Sequence, residues 1–339
     1  MKTQMKTKLK PKVKALAALA VVVGFVLAAP RALAGDYHAG NSLVCSDCHT
    51  MHYSQSHTYA GADTTLPNTG GPHAKLLRYE ENALCLACHD GRTSAPDVLG
   101  ANTGTHTRQA GALNTPDGVA PYLPTDGHTL GSGDIAPGGT WTAASRGLAC
   151  ADCHTPHGST AYRNLQSKTG TANVDTYVTY AQGTNNTAMD VFEINSDGAL
   201  AGHYGVDNVW FNEPSEVGSA YGTFCQGCHT LFHGNYDDPN MNDGGWRRHP
   251  TADANISGSM KIQYLSHTNK VKLMSSSGLW GSATTTDSTP SCMTCHKAHG
   301  NRNPFGLIFM SGTGTVTEEG DTDGSGVRDL CLQCHTNGI

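Results

Sequence analysis

No cysteine of this 339-residue chain stands outside one short motif, and after residue 34 no apolar stretch approaches the roughly 20 residues that a membrane-spanning helix needs. Periodic apolar patterning is scarce as well. Hydrophobic residues make up 37% of the chain, and Gly, Ser, Thr, Asn, Asp and Pro dominate the stretches between motifs, a composition that argues against a conventional apolar core. Basic residues become few once the first 34 positions are set aside. That segment holds seven of the 22 Lys and Arg and none of the 28 Asp and Glu, which leaves 15 basic against 28 acidic residues, a net −13. Nucleic acid and anionic membrane surfaces are therefore poor partners, whereas metal cations, mineral surfaces and basic proteins remain open. Also missing are a nucleophile–base pair, a phosphate-binding loop and any other substrate signature, so nothing in the chain reads as an enzyme.

What is present is Cys-x-x-Cys-His, six times, using all twelve cysteines. The copies are Cys45/Cys48/His49, Cys85/Cys88/His89, Cys150/Cys153/His154, Cys225/Cys228/His229, Cys292/Cys295/His296 and Cys331/Cys334/His335, numbered one to six below. Two thiols three residues apart lie on one face of a helical turn, where they can form thioethers to the two vinyl groups of one haem, and the next residue offers its imidazole to the iron. Zinc sites and structural disulfides would not demand a histidine after every pair, and a redox dithiol would appear once beside a βαβ pattern. The motif set predicts six covalently attached c-type haems.

Residues 1–34 read as a cleaved export signal. Lys2, Lys6, Lys8, Lys10, Lys12 and Lys14 form a basic start, Ala15 to Ala29 is apolar, and Ala32-Leu33-Ala34 is an A-x-A cleavage site. The mature chain is then expected outside the cytoplasm, without a membrane span.

Between the motifs the expectation is coil, turns and short helices with little β, the haem stack serving as the core. Ala74 to Leu84 reads as a helix leading into motif two. Val174 to Tyr180 and Val191 to Ile194 read as a small hairpin. Asp321 to Gly326 resembles the opening of a calcium loop, but Leu332 stands where the closing glutamate belongs, so an acidic turn is the better reading.

The histidines add a three-fold pattern. Motifs one, three and five continue to His52, His157 and His299, each is followed by a plain second motif, and each pair is preceded by another histidine: His38, His128 and His249. Three dihaem modules result, 35–110, 111–240 and 241–339, forming one continuous haem-wrapping domain. Six irons with two histidines each need six more ligands than the motifs supply, and these six make the number. His267 competes with His249, and His233 is a further competitor; His57, His73, His106 and His203 lack repeated context. Side chains three apart on a helix point the same way, whereas axial ligands approach from opposite faces. His52, His157 and His299 must therefore each reach a neighbouring haem, which forces the haems close together into a chain able to move electrons.

Read together, the six ordered motifs and the flanks Tyr37-His-Ala-Gly40, Cys48-His-Thr-Met-His52, Gly127-His128, Cys153-His-Thr-Pro-His-Gly158, Cys228-His-Thr-x-x-His233, Arg248-His-Pro250 and Cys295-His-Lys-Ala-His299 resemble the OmcS-type hexahaem cytochromes. These are multihaem cytochromes c with paired CxxCH motifs that polymerise into extracellular nanowires. The resemblance implies a mostly irregular fold, six bis-histidine haems in alternating parallel and T-shaped pairs, and electron flow along a head-to-tail homopolymer. It also implies that His52 completes the haem held by Cys292, Cys295 and His296 of the next copy. The expected function is a secreted electron carrier for anaerobic respiration, fed by other cytochromes or an outer-membrane conduit and delivering to extracellular acceptors such as metal oxides. Its alternatives are a monomeric periplasmic or outer-membrane-associated shuttle and, behind that, a multihaem reductase.

Overall fold

A computed structural model describes His38 and residues 43–50, 59–61, 64–66, 73–90, 95, 98–99, 127–182, 192–193, 203–204, 209–211, 219–232, 234–235, 250–253, 256, 258–268, 270–275, 288–300, 303–309, 311–312, 316–317, 320–321 and 326–336. The export signal, His52, His57, His106, His233, His249 and most of the acidic turn after Asp321 lie outside the described residues.

Short helices carry the motifs. α1 (Cys45–Cys48) is motif one, α2 (Glu81–His89) ends in motif two, α3 (Ala220–Gln226) enters motif four, α4 (Gly258–Ser266) precedes the third module's motifs, α5 (Cys292–Cys295) is motif five and α6 (Val327–Leu332) enters motif six; motif three begins as a 3-10 turn, Cys150–Asp152. Several starts are locked the same way. A side chain inside the first turn accepts the backbone N–H of the residue before it: Asp47 from Val44 (2.9 Å), Asp152 from Ala149 (2.8 Å), Thr294 from Ser291 (2.9 Å) and Asp329 from Gly326 (3.1 Å). Helices of four to nine residues are too short to stand alone in water, so these caps and the packing beneath them hold the turns.

The β structure is minimal. Described strands are two to four residues long and pair only in twos. The hairpin expected between Val174–Tyr180 and Val191–Ile194 does not form. Instead Ala181–Gln182 pairs with Val209–Trp210, and Phe192–Glu193 pairs with His203–Tyr204 inside that loop. Residues 174–180 run without strand pairing because Thr176 N–H and the Val178 carbonyl are already engaged by Ser167 and Tyr162. The helix expected over Ala74–Leu84 is also divided. A 3-10 turn at Ala74–Leu76 contains Lys75 and Leu76 in the left-handed region (φ 59° and 57°), and α2 begins only at Glu81.

Besides any surface that a cofactor supplies, the chain assembles a compact apolar cluster of its own, contrary to the expectation from composition. Phe211, fully buried, packs edge-on against Tyr162 (4.9 Å between ring centroids) and Tyr221 (5.1 Å), and the Lys272 ammonium lies 5.6 Å from its ring. Val178, Tyr264, Val271, Leu273, Ile308 and Leu330 complete it. Each such side chain contributes about 1.5–3 kcal/mol by burial. The cluster draws on residues from 161 to 330, and so ties motif three to motif six.

Candidate functional site

The motif turns present their groups as the spacing requires. Backbone N–H groups of His49, His154, His229, His296 and His335 donate to the carbonyl of the first cysteine of their motifs at 2.9–3.0 Å, which closes one helical turn and brings both thiols to one side. None of the twelve cysteines is engaged in a disulfide.

Motifs one, three and five share a frame that the sequence spacing conceals. The Nδ1 of His49, His154 and His296 lies 3.0, 3.0 and 2.9 Å from the carbonyl oxygens of Lys75, Arg163 and Phe305. Each of those residues is left-handed (φ 59°, 50° and 62°) and sits in a 3-10 turn. Immediately after, His49 bridges Leu77, His154 bridges Leu165 and His296 bridges Leu307. The offset from histidine to carbonyl is 26 residues in the first case and nine in the others. Gly306, and more weakly Asn164, was the available sequence signal for such a turn; Lys75-Leu76 gave none. An Nδ1–H held by a carbonyl fixes the ring plane and leaves Nε2 free as the ligating atom. His38, His128 and His229 are held alike, at 3.0, 2.7 and 2.7 Å from the carbonyls of Pro156, Ala298 and Pro137.

Imidazoles then meet in pairs. His38 faces His89 with ring centroids 6.0 Å apart, His157 faces His49 at 5.9 Å, His128 faces His229 at 5.9 Å, and His299 faces His154 at 6.1 Å. Two rings bound through nitrogen at about 2.0 Å on opposite sides of one metal ion have centroids about 6 Å apart. The spacing thus fits an iron between each pair, and with the flanking thiols the residues fit c-type haem. Burial keeps His128, His154 and His296 below the usual imidazole range, in the neutral form that a metal requires. His267 is differently placed. Its Nε2 lies 3.3 Å from the Leu332 carbonyl and 3.5 Å from Gln263 Nε2, which ties it to the helix of motif six. His73 bonds Glu80 at 3.1 Å.

Consecutive motifs are neighbours along the whole series. Cys48 lies near Cys85 and Cys88, Cys85 near Cys150, Cys153 near Cys228, Cys225 near Cys292, and Cys295 near Cys331 and Cys334.

Residues 286–338 match a family model described as a doubled CXXCH motif. The C-type cytochrome OmcS of Geobacter sulfurreducens is 28% identical over an alignment of 168 residues that covers 39% of this chain and 36% of the length of that relative. Among solved structures, the outer membrane cytochrome S filament of Geobacter sulfurreducens superposes with a TM-score of 0.52 at 18% identity, covering 88% of this chain and 100% of that one. The chain has the fold of an OmcS-type multihaem cytochrome. A second structure, of the OmcS nanowires of the same organism, has a TM-score of 0.42 at 17% identity, with 89% and 95% coverage. In this cytochrome fold the CxxCH motifs are attachment sites for covalently bound c-type haem. Among the described residues no helix is long and apolar enough to cross a membrane.

Proposed function

We propose that the protein is a secreted hexahaem cytochrome that carries electrons from one end of its haem chain to the other and, joined head to tail with further copies, over longer distances outside the cell. The observation that carries this reading is the unbroken adjacency of motifs one to six. Bound haem would supply a one-electron Fe(III)/Fe(II) couple; the chain's own residues space the attachment turns, orient the imidazoles and would offer two histidines to each iron. With two protein ligands at each iron no position remains for a substrate, so the protein is an electron carrier rather than an enzyme.

Four ligand pairs follow from the facing rings: His49 with His157, His89 with His38, His154 with His299, and His229 with His128. They obey two rules. The histidine upstream of a module serves that module's second motif, and the histidine three after an odd motif serves the odd motif of the preceding module. Extended to the third module, the first rule assigns His249 to His335 and leaves His267 a structural role. The second leaves His296 waiting for a module beyond the C-terminus, and His52 of the next copy is the residue that satisfies it. The boundaries 35–110, 111–240 and 241–339 are those of the three dihaem units in this scheme. The outer membrane cytochrome S that superposes on this chain forms a filament, which supports the same mode of assembly here. The export signal places the polymer outside the cytoplasm, with extracellular metal oxides as acceptors and another cytochrome or an outer-membrane conduit as donor. Cryo-electron microscopy of the haem-loaded, signal-cleaved protein tests the reading: filaments with a continuous haem file are expected, and dispersed monomers with six complete irons would make it a shuttle instead.

A further inference from the structure

Where one module meets the next, the chain repeats a small device. Thr155-Pro156-His157-Gly158 and Lys297-Ala298-His299-Gly300 each form a four-residue turn directly after an odd-motif histidine. The N–H of Gly158 donates to the Thr155 carbonyl at 3.0 Å, and that of Gly300 to the Lys297 carbonyl at 3.1 Å. Both glycines leave the turn at positive φ, 92° and 116°, which a side chain would oppose. The bond across the ends engages the first carbonyl and the last N–H, so the groups of the two central residues face outward.

Those groups meet two histidine pairs at once. At the first joint the His157 ring faces His49 of motif one at 5.9 Å. One residue earlier, the Pro156 carbonyl accepts from Nδ1 of His38 at 3.0 Å, and the His38 ring faces His89 of motif two at 6.0 Å. At the second joint the His299 ring faces His154 of motif three at 6.1 Å. The Ala298 carbonyl accepts from Nδ1 of His128 at 2.7 Å, and the His128 ring faces His229 of motif four at 5.9 Å. The correspondence holds residue by residue, although the carbonyls are steadied differently. Pro156 has its φ fixed by its own ring, whereas Ala298 leads into a bridge between Gly127 and Gly300, with the His128 N–H on the His299 carbonyl at 3.0 Å.

We propose that each turn couples the two irons of the module before it. Its histidine ligates the odd-motif iron, and the carbonyl one residue earlier makes Pro156 or Ala298 a positioning residue for the even-motif iron, fixing the plane and the donor strength of that iron's distal imidazole. The inference rests on the haem reading above. An imidazole whose Nδ1–H is held by a carbonyl is a stronger base at its ligating nitrogen. A stronger donor favours the oxidised iron, so the contact lowers the potential of that centre. Motif two adjoins motif three and motif four adjoins motif five. The iron that exchanges electrons across each joint is thus tuned by the module on the other side.

The test is a redox titration of the haem-loaded full-length protein followed by electron paramagnetic resonance, with haem counted on the same samples. His38→Ala identifies the motif-two component as the one it turns high-spin, and His128→Ala does the same for motif four. Pro156→Gly keeps every ligand but frees the backbone that aims the carbonyl. The motif-two component is then expected to stay low-spin while its reduced-to-oxidised ratio at fixed electrode potential rises about threefold, the lower part of what one hydrogen bond contributes, equivalent to about 30 mV for a one-electron couple. Pro156→Ala, which installs the residue of the second joint, should leave it in place. His299→Ala gives the second reading, and decides the matter if Pro156→Gly fails to take up haem: the motif-three iron turns high-spin, and the motif-four component rises in potential although both its own histidines remain. Motif-two and motif-four components unchanged in Pro156→Gly and His299→Ala, with six haems attached, would overturn this proposal alone. Wholly low-spin iron in His38→Ala and His128→Ala would overturn the ligand pairing on which it rests.

Discussion

Replacing His157 by alanine removes one imidazole that faces His49 at 5.9 Å and belongs to a different motif from Cys45 and Cys48. Attachment and ligation should therefore separate: all six haems stay bound, because the thiols and His49 are intact, but one iron in six loses its second nitrogen. The expected change is large for a single substitution, about one sixth of the iron passing from low-spin to high-spin. The His49 ring keeps its orientation through its own bond to the Lys75 carbonyl, so the vacated position should accept added imidazole and return to low spin. Pyridine haemochrome analysis counts the haems, and electron paramagnetic resonance with and without imidazole counts the spin states. A wholly low-spin spectrum in His157→Ala would refute the pairing and, with it, the rule that a third-position histidine serves the preceding odd motif. Loss of one haem altogether would show that His157 is needed for attachment, which the separation of thiols and ligand denies.

His52→Ala should keep six haems yet abolish filaments, read by negative-stain microscopy; filaments that persist would remove the inter-copy ligand. Phe211→Ala should lower unfolding free energy by roughly 3–5 kcal/mol through the cavity left between Tyr162 and Tyr221, measured by denaturant titration of the haem-loaded protein, and a loss below about 1 kcal/mol would show that haem rather than this cluster holds the middle of the chain. Gly127→Ala should disturb two irons at once, because a Cβ there would stand 2.5 Å from the His299 carbonyl oxygen while His128 and His299 serve different motifs. About a third of the iron turning high-spin is the expected readout.

The chemistry of the site was legible in the sequence because covalent attachment is written in contiguous residues. Cys, Cys and His at fixed offsets need only one helical turn, and that turn forms at each motif. The histidines were legible as a set but not as pairs, since His38 meets His89 and His157 meets His49 through contacts that no local spacing records. Ala74–Leu84 was misread because Lys75 and Leu76 have good helix propensity and yet occupy left-handed backbone; the carbonyl demanded by His49 outweighs local preference there. Phe211 was invisible as a core residue for a related reason. It follows a strand of only two residues, Val209–Trp210, and its partners Tyr162 and Lys272 are about 50 and 60 positions away.

The joint between Gly127-His128 and His299-Gly300, where the His128 N–H meets the His299 carbonyl at 3.0 Å, bears on timing. A chain threaded through a membrane from its N-terminus presents motif one long before residue 157 and motif three long before residue 299. The histidines that face His49 and His154 therefore emerge well after the motifs they face. Closing such long loops is slow compared with forming a helical turn. On the proposed pairing, the partner of His296 would come only with a second molecule.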